Sequence, residues 1–288
     1  MTDGFVVVDK PAGWTSHDAV ARCRKVFGQK RVGHAGTLDP DATGVLLVGL
    51  GRATRLLKFV GDLEKAYVGD VVLGTTTTTL DAAGEVTGTF DMSGASSDDV
   101  RAAAAKFVGD IEQIPPMVSA VQIDGTRLHE LARKGVEVER APRPVTIHAI
   151  KLIAEPDPGV FTLDVVCSTG TYIRTLADDI GRALGGGAHL RNLRRRAIGS
   201  FAVADAVPLE DLAVDNAQPM ADLLVHLPGV TVDDEGVDAV AHGRPLFDDS
   251  FLGLVAQSVR VMSPAGDLIG VYRPDGERLV ADVVLLGS

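Results

Sequence analysis

Short apolar runs, closed by glycine, proline or charged turns, govern what this chain can become. Phe5–Val8 ends at Asp9-Lys10-Pro11, Val45–Leu50 runs into Gly51, and Tyr67–Leu73 is of the same kind. Runs this short and rich in branched residues read as strands. Phe161, Leu163, Val165 and Cys167 recur at period two, as a half-buried strand requires. Helical spacing is confined to a few stretches. Ser16 can cap a helix over 17–27 that buries Ala19, Val20, Cys23, Val26 and Phe27 and stops at Gly28. Another helix is expected near 52–60, and Leu80–Gly84 reads as a turn. Ser96-x-x-Asp99 is a capping box for a helix through Phe107, closed by Gly109. Ile173, Leu176, Ala177, Ile180 and Leu184 follow helical spacing up to Gly185. Strands and helices do not alternate strictly. The expected class is therefore α+β, a largely antiparallel mixed sheet flanked by helices, rather than a doubly wound fold.

At ~150 residues per domain, 288 residues suggest about two domains. Residues 1–228 read as one. Within them 119–148 is polar, rich in Arg and Lys and bounded by prolines, and is expected to project from the sheet as an insertion. Beyond 228 the runs Val255–Met262, Leu268–Tyr272 and Leu279–Leu286 predict a small C-terminal β domain over 229–288. Hydrophobic residues make up 45% of the chain, enough for a core without disulfides. Cys23 and Cys167 form no CxxC and read as buried, reduced thiols. Met1–Lys10 contains two acids and only a short apolar run, unlike a signal peptide, and no stretch approaches the ~20 apolar residues of a membrane span. A cytoplasmic protein away from membranes is expected.

The net charge of −11 argues at first against a nucleic-acid partner. Its distribution matters more, because screening in the cell acts over ~8 Å. Residues 226–288 hold 4 basic and 10 acidic side chains, whereas positive charge elsewhere is clustered. Arg22, Arg24, Lys25, Lys30 and Arg31 share one segment without an acid between them. Arg182, Arg191, Arg194, Arg195 and Arg196 lie in a stretch free of Asp and Glu from 180 to 204. Such patches can contact phosphates, though charge runs are also commonly solvated faces.

Familiar cofactor motifs are weak or missing. Gly49-Leu50-Gly51 precedes a helix as a dinucleotide fingerprint would, but the third glycine is lacking and Asp70 lies within a strand. There is no phosphate-binding GxxxxGK[ST] loop, and the histidines show no metal-ligand spacing. No metal and no cofactor are expected. The segment Gly33–Gly44 carries more. Its glycines and proline imply a sharply turning backbone, and Pro40 biases Asp39 toward an extended conformation that projects the carboxylate. Asp39-Pro40 could equally start a turn with the carboxylate bonded to its own backbone.

The run GHAGTLDPDATGVL from Gly33 to Leu46 resembles the motif around the catalytic aspartate of the TruB-type tRNA pseudouridine synthases. Further blocks agree in the family's order: Asp9–His17, Lys65-Ala66-Tyr67, Thr79–Gly84, Pro115–Ala120, and Gly170–Leu176 followed by Leu193-Arg194-Arg195. The resemblance spans roughly residues 5–200. It implies that Asp39 is the catalytic aspartate, Tyr67 the aromatic stacked on the target base, and Arg174 the arginine paired with the aspartate. Lys10, His34, Asp81, Tyr172 and Leu193 match substrate-pocket positions. Arg127, Arg133, Lys134, Arg194, Arg195 and Arg196 are expected to grip RNA phosphates. Departures stand at Gln122, where relatives usually carry lysine, at His129, where tyrosine is common, and at Asp41, where an apolar residue is usual. The C-terminal part loosely resembles a PUA-like RNA-binding domain.

The reaction so implied breaks N1–C1′, rotates the uracil and rejoins it through C5, which needs neither redox chemistry nor a group donor. A carboxylate can act covalently, and an arginine within ~4–6 Å would hold it ionised by lowering its pKa about 1–3 units. Tyr67 could hold an extruded base and help move the C5 proton. By resemblance the substrate is the T-stem loop of tRNA and the target uridine 55, acted on by a monomer that needs no protein partner. Competing readings are a tRNA-folding RNA chaperone without essential catalysis, a guide-RNA-dependent synthase related to dyskerin, and a NAD enzyme.

Overall fold

The computed structural model describes residues 2–119, 122–123, 126–128, 135–136, 138–247 and 256–286, with the side chains of 122–123 and 126–127 excepted. The strands in chain order are β1 (Gly4–Lys10), β2 (Val32–Ala35), β3 (Thr43–Leu50), β4 (Lys65–Leu73), β5 (Thr75–Thr77), β6 (Val86–Thr89) and β7 (Gly109–Gln113). There follow β8 (Gln122–Ile123), β9 (Thr126–Arg127), β10 (Arg143–Asp157), β11 (Val160–Cys167), β12 (Ala188–Ile198), β13 (Phe201–Ala202) and β14 (Val207–Pro208). The last are β15 (Gly229–Thr231), β16 (Leu246–Phe247), β17 (Val259–Met262), β18 (Leu268–Asp275) and β19 (Arg278–Val284).

A ten-stranded sheet runs β14-β1-β3-β12-β4-β11-β10-β7, with β2 on β3 and β13 on β12. Among the described residues of this sheet, only β1–β14 and β3–β12 pair parallel. The fold is therefore α+β with a largely antiparallel sheet. β1 reads as a continuous apolar run because both its faces are covered. Val6 and Val8 pack with Ala19, Val20, Cys23 and Phe27 of the helix Ser16–Phe27. Phe5 and Val7 face the other way, onto a core that includes Leu268, Val271, Val283 and Leu285 of the second sheet. That second sheet, β15-β17-β18-β19-β16, is thus seated on the first. Basic side chains of the first unit reach it: Arg55 Nη1 donates to the Val284 carbonyl at 2.7 Å, and Lys58 pairs with Asp282. Helices Ser97–Ala105 and Ile173–Ala183 cover the half of the sheet that holds Tyr67, Val71, Leu163 and Val165.

Several sequence expectations shift. The helix cap is Thr15, whose reciprocal bonds with Asp18 form the capping box, so Ser16 is free to turn inward. The stretch expected as one helix near 52–60 is a 3-10 turn, Gly51–Arg55, then a single α turn, Lys58–Gly61. The loop at Gly33 begins as a strand, since β2 pairs with β3. Residues 143–148 of the expected insertion belong to the main sheet. Val145 and Ile147 are buried between exposed or half-exposed neighbours, a period-two signal, and β10 enters the main sheet at Arg143 opposite Gln113. The arginine-rich stretch is the central strand β12, which bulges at Asn192 (φ 54°) between its pairings with β4.

Candidate active site

Asp39 sits in the bend between β2 and β3, and that bend is fastened from beneath. Ser16, 1% exposed, accepts from the Leu38 amide at 2.9 Å. Lys10, fully buried at the end of β1, donates to the carbonyls of Pro11 (2.9 Å), Trp14 (2.6 Å) and Pro40 (2.9 Å). Gly44 re-enters β3 at φ 104°, a conformation that strains any L side chain. A Cβ there would lie 2.2 Å from the Arg195 carbonyl oxygen, so only glycine lets β3 pass this close to β12.

The carboxylate meets Arg174, the second residue of the helix Ile173–Ala183. Nε lies 3.1 Å from Oδ2 of Asp39 and Nη2 lies 3.3 Å from Oδ1, a forked contact. The same guanidinium reaches Asp81 (3.4 Å) and donates to the carbonyls of Thr79 (3.1 Å) and Val118 (2.9 Å). The Arg174 side chain is 5% exposed, that of Asp39 40%. The helix start is clamped by Gln113, 2% exposed, whose amide accepts from the Tyr172 N–H (2.7 Å) and donates to its carbonyl (3.0 Å).

Above this pair lies a cleft of about 270 Å³ whose walls include Asp39, Tyr67, Tyr172, Arg174 and Leu193, together with Arg195, expected as a phosphate contact, and Lys65, to which no role was assigned. A second hollow of about 390 Å³ opens on the other side of the pair, where Asp39 and Arg174 meet Asp41, Asp81 and Leu193. Lys10, Lys65, Arg174 and Arg195 are each no more than 5% exposed, so buried cations surround one carboxylate loop. Lys65 donates to the carbonyls of Gly61 and Leu63, and burial pushes its ammonium down to about 8. Burial likewise pushes Lys10 to about 8, so both stay charged at neutral pH. The Asp39 pKa is raised above the ordinary value. Burial is the largest cause and Asp81 and Asp41 add to it, against the pull of Arg174 and Lys10. The expectation that arginine would carry this carboxyl below its usual range is therefore corrected. Burial also raises Tyr67, which stays a neutral phenol.

Other assignments need correcting. Lys10 lines neither of these two hollows, and its three protons are taken by carbonyls, so it fastens the loop. His34 lines neither hollow either. Its ring meets His17 edge-on at 5.7 Å, and its buried Nδ1 has no hydrogen-bond partner among the described residues. The arginine run does not act as one phosphate grip, because successive strand residues point to opposite faces. Arg195, 1% exposed, donates to the carbonyls of Val45 (2.7 Å) and Gly36 (3.0 Å), which makes it cleft floor rather than RNA grip. Arg194 is held by Asp9 (2.6 Å) and Arg196 by Asp164 (2.6 Å). Arg133, Lys134 and His129 lie outside the described residues, and for Arg127 and Gln122 only the strands β9 and β8 are described. Among the described residues no cluster suits a metal ion, and no helix is long and apolar enough to cross a membrane. Gln113 was unmarked in the sequence, and Lys65 and Ser16 stood in family blocks without a site role. The one available signal was that Lys65 and Tyr67, two apart on β4, share a face.

Comparison with known proteins decides the family. Residues 24–173 match the profile of the TruB family pseudouridylate synthase N-terminal domain, and 174–224 that of the tRNA pseudouridylate synthase B C-terminal domain. The chain belongs to the TruB family of pseudouridylate synthases. It is 43% identical to tRNA pseudouridine synthase B of Rhodococcus jostii (strain RHA1) over 98% of this chain and 93% of the relative. It is 50% identical to the Symbiobacterium thermophilum protein of that name over 84% and 82%. A chain in the crystal structure of a Cbf5-Nop10-Gar1 complex superposes with TM-score 0.75 at 28% identity, covering 97% of this chain and 83% of that one. A chain in the structure of an H/ACA RNP bound to a substrate RNA containing 2′-deoxyuridine gives 0.74 at 26%, covering 99% and 85%. The profile boundary at 173/174 cuts the helix that carries Arg174. The Asp39–Arg174 pair of this TruB-family chain thus joins both matched segments.

Proposed function

We propose that this protein is a stand-alone, monomeric cytoplasmic enzyme that isomerises uridine 55 in the T-stem loop of tRNA to pseudouridine, with Asp39 as its nucleophile. One observation carries the assignment. The Asp39 carboxylate is presented at a cleft, forked onto a buried guanidinium 3.1 and 3.3 Å away. The flipped uridine enters the cleft and packs against Tyr67 and Leu193. Tyr67, a neutral phenol at rest, holds the base. Asp39 adds covalently to the uridine, N1–C1′ breaks, the uracil turns, C5 bonds C1′, and the bond to Asp39 breaks to return the free carboxylate. The proton leaves C5 and N1 regains one, so the product is an isomer. Arg174 orients the attacking carboxylate and keeps it anionic against the cost of burial, while Asp81 and Tyr172 line the binding surface. Lys10 and Ser16 hold the loop, and residues 229–288 form a separate β unit docked beside the catalytic residues 1–228.

The test is to map pseudouridine in a naked tRNA transcript after incubation with wild type and with Asp39→Asn. Wild type alone should convert position 55, and Asp39→Asn should bind the transcript without converting it. Conversion at normal rate by Asp39→Asn would refute the nucleophile. A need for guide RNA or a partner would favour the dyskerin-like reading. Binding without conversion by wild type would favour the chaperone.

A further inference from the structure

A hollow of about 540 Å³ belongs to neither side of the Asp39–Arg174 pair. Its walls include Asp9, Trp14, Arg22, Arg194, Leu209 and Glu210. The volume falls within the ~300–1,000 Å³ of ordinary ligand sites. Trp14, the chain's only tryptophan, is 40% exposed at its edge, an unusual position for a large aromatic with no functional reason to face water. The cations here divide in two. Arg194 is neutralised by Asp9. Among the described residues, Arg22 donates only to the main-chain oxygen of Glu210, at 3.4 Å.

The wider basic segment repeats that contrast with the arginines of β12. Arg191, Arg194 and Arg196 each hold a carboxylate. Arg24 instead donates to the Val32 carbonyl and Arg31 to the Thr54 hydroxyl. Among the described residues, none of Arg22, Arg24, Lys25, Lys30 and Arg31 forms an ion pair. On a chain of net charge −11, a run of cations outside ion pairs among the described residues, one of them lining a hollow with an exposed indole, suits an anionic, aromatic ligand.

We propose that this hollow takes one nucleotide of the RNA, its base stacked on Trp14 and its phosphate on Arg22, with flanking phosphates following Arg24–Arg31. The inference rests on the RNA-substrate reading above. It also explains how the contact would reach the chemistry. Lys10 Nζ bonds the carbonyls of Trp14 (2.6 Å) and Pro40 (2.9 Å), and the Gly13 amide bonds the Pro40 carbonyl (3.0 Å). The turn bearing the indole and the bend bearing Asp39 are therefore one hydrogen-bonded unit.

Trp14 emission tests this directly, in full-length protein carrying Asp39→Asn so that no turnover interferes. A tRNA transcript should quench the emission at the concentrations where filter binding shows the complex. AMP and UMP at matched concentration should not quench it, which separates an RNA residue from a free nucleotide. Trp14→Ala should raise the RNA Kd about 5- to 150-fold, the range for one stacked base, and Trp14→Phe should restore most of the affinity. Arg22→Ala should lower the slope of log K against log salt by about 1. RNA that binds without disturbing Trp14 emission, Trp14→Ala binding as tightly as its parent, or quenching by mononucleotides alone would each overturn the proposal and leave the enzymatic reading standing. RNA that fails to bind at all would overturn both.

Discussion

Arg174→Lys tests the forked contact, because it keeps the charge and removes the shape. The guanidinium serves two oxygens of Asp39, one of Asp81 and the carbonyls of Thr79 and Val118, from three nitrogens at 2.9–3.4 Å. An ammonium has three protons on one atom and cannot span that set. If it stays with Asp39, the Thr79 and Val118 carbonyls lose their donor, at ~1–3 kcal/mol each when buried. Partial relaxation brings the expected stability loss to about 2–4 kcal/mol. The Asp39 share is screened, since that side chain is 40% exposed. The catalytic loss should be larger in effect. Losing carboxylate orientation and part of its charge partner is worth ~3–4 kcal/mol at the barrier, or about 100- to 1,000-fold in rate. A pH signature accompanies it. Arg174 is the strongest influence pulling the Asp39 pKa down. Weakening that pull raises the pKa further, so activity that requires the carboxylate is lost at higher pH on acidification. Single-turnover pseudouridine formation between pH 5 and 8 measures both quantities, with thermal melting alongside. A variant within about threefold of the wild-type rate and with an unmoved acid limb would refute the fork as the source of Asp39's reactivity.

Lys10→Met should cost about 2–4 kcal/mol in a denaturant titration by stranding buried carbonyls at Pro11, Trp14 and Pro40, and an unchanged midpoint would show that the ammonium does not fasten the loop. Asp39→Asn should melt at or above the wild-type temperature at neutral pH. A folded pKa above 3.8 means that the charged form is disfavoured by folding, so the advantage is full above the folded pKa and vanishes as pH falls toward 3.8; a lower melting temperature at pH 7 contradicts this. Gly44→Ala should lose on the order of 3 kcal/mol or fail to fold, because its Cβ would meet the Arg195 carbonyl oxygen at 2.2 Å. Wild-type melting of this variant would show that β3 and β12 can part there freely.

The amino-acid sequence by itself determined the local elements and the presence of the nucleophile loop. Asp39-Pro40 between glycines, the Ser96/Asp99 box, the Gly28 stop and the period-two run at 161–167 are all local in origin, since dihedral preference and side-chain direction are set within a few residues. It also announced Arg174 and Tyr67, though only through family motifs. Tertiary structure alone decided which charges face the carboxylate. Arg194, Arg195 and Arg196 look alike in sequence, yet strand alternation sends the middle one under the cleft and leaves the outer two to Asp9 and Asp164. Nothing near Lys10 in sequence shows that the bend at Pro40, thirty residues on, folds over it. The Asp39 pKa could not be inferred from its arginine alone, because its direction is set by how much water the surrounding sheet removes. Periodicity specifies which face a residue takes, whereas sheet register across more than a hundred residues specifies what it finds there.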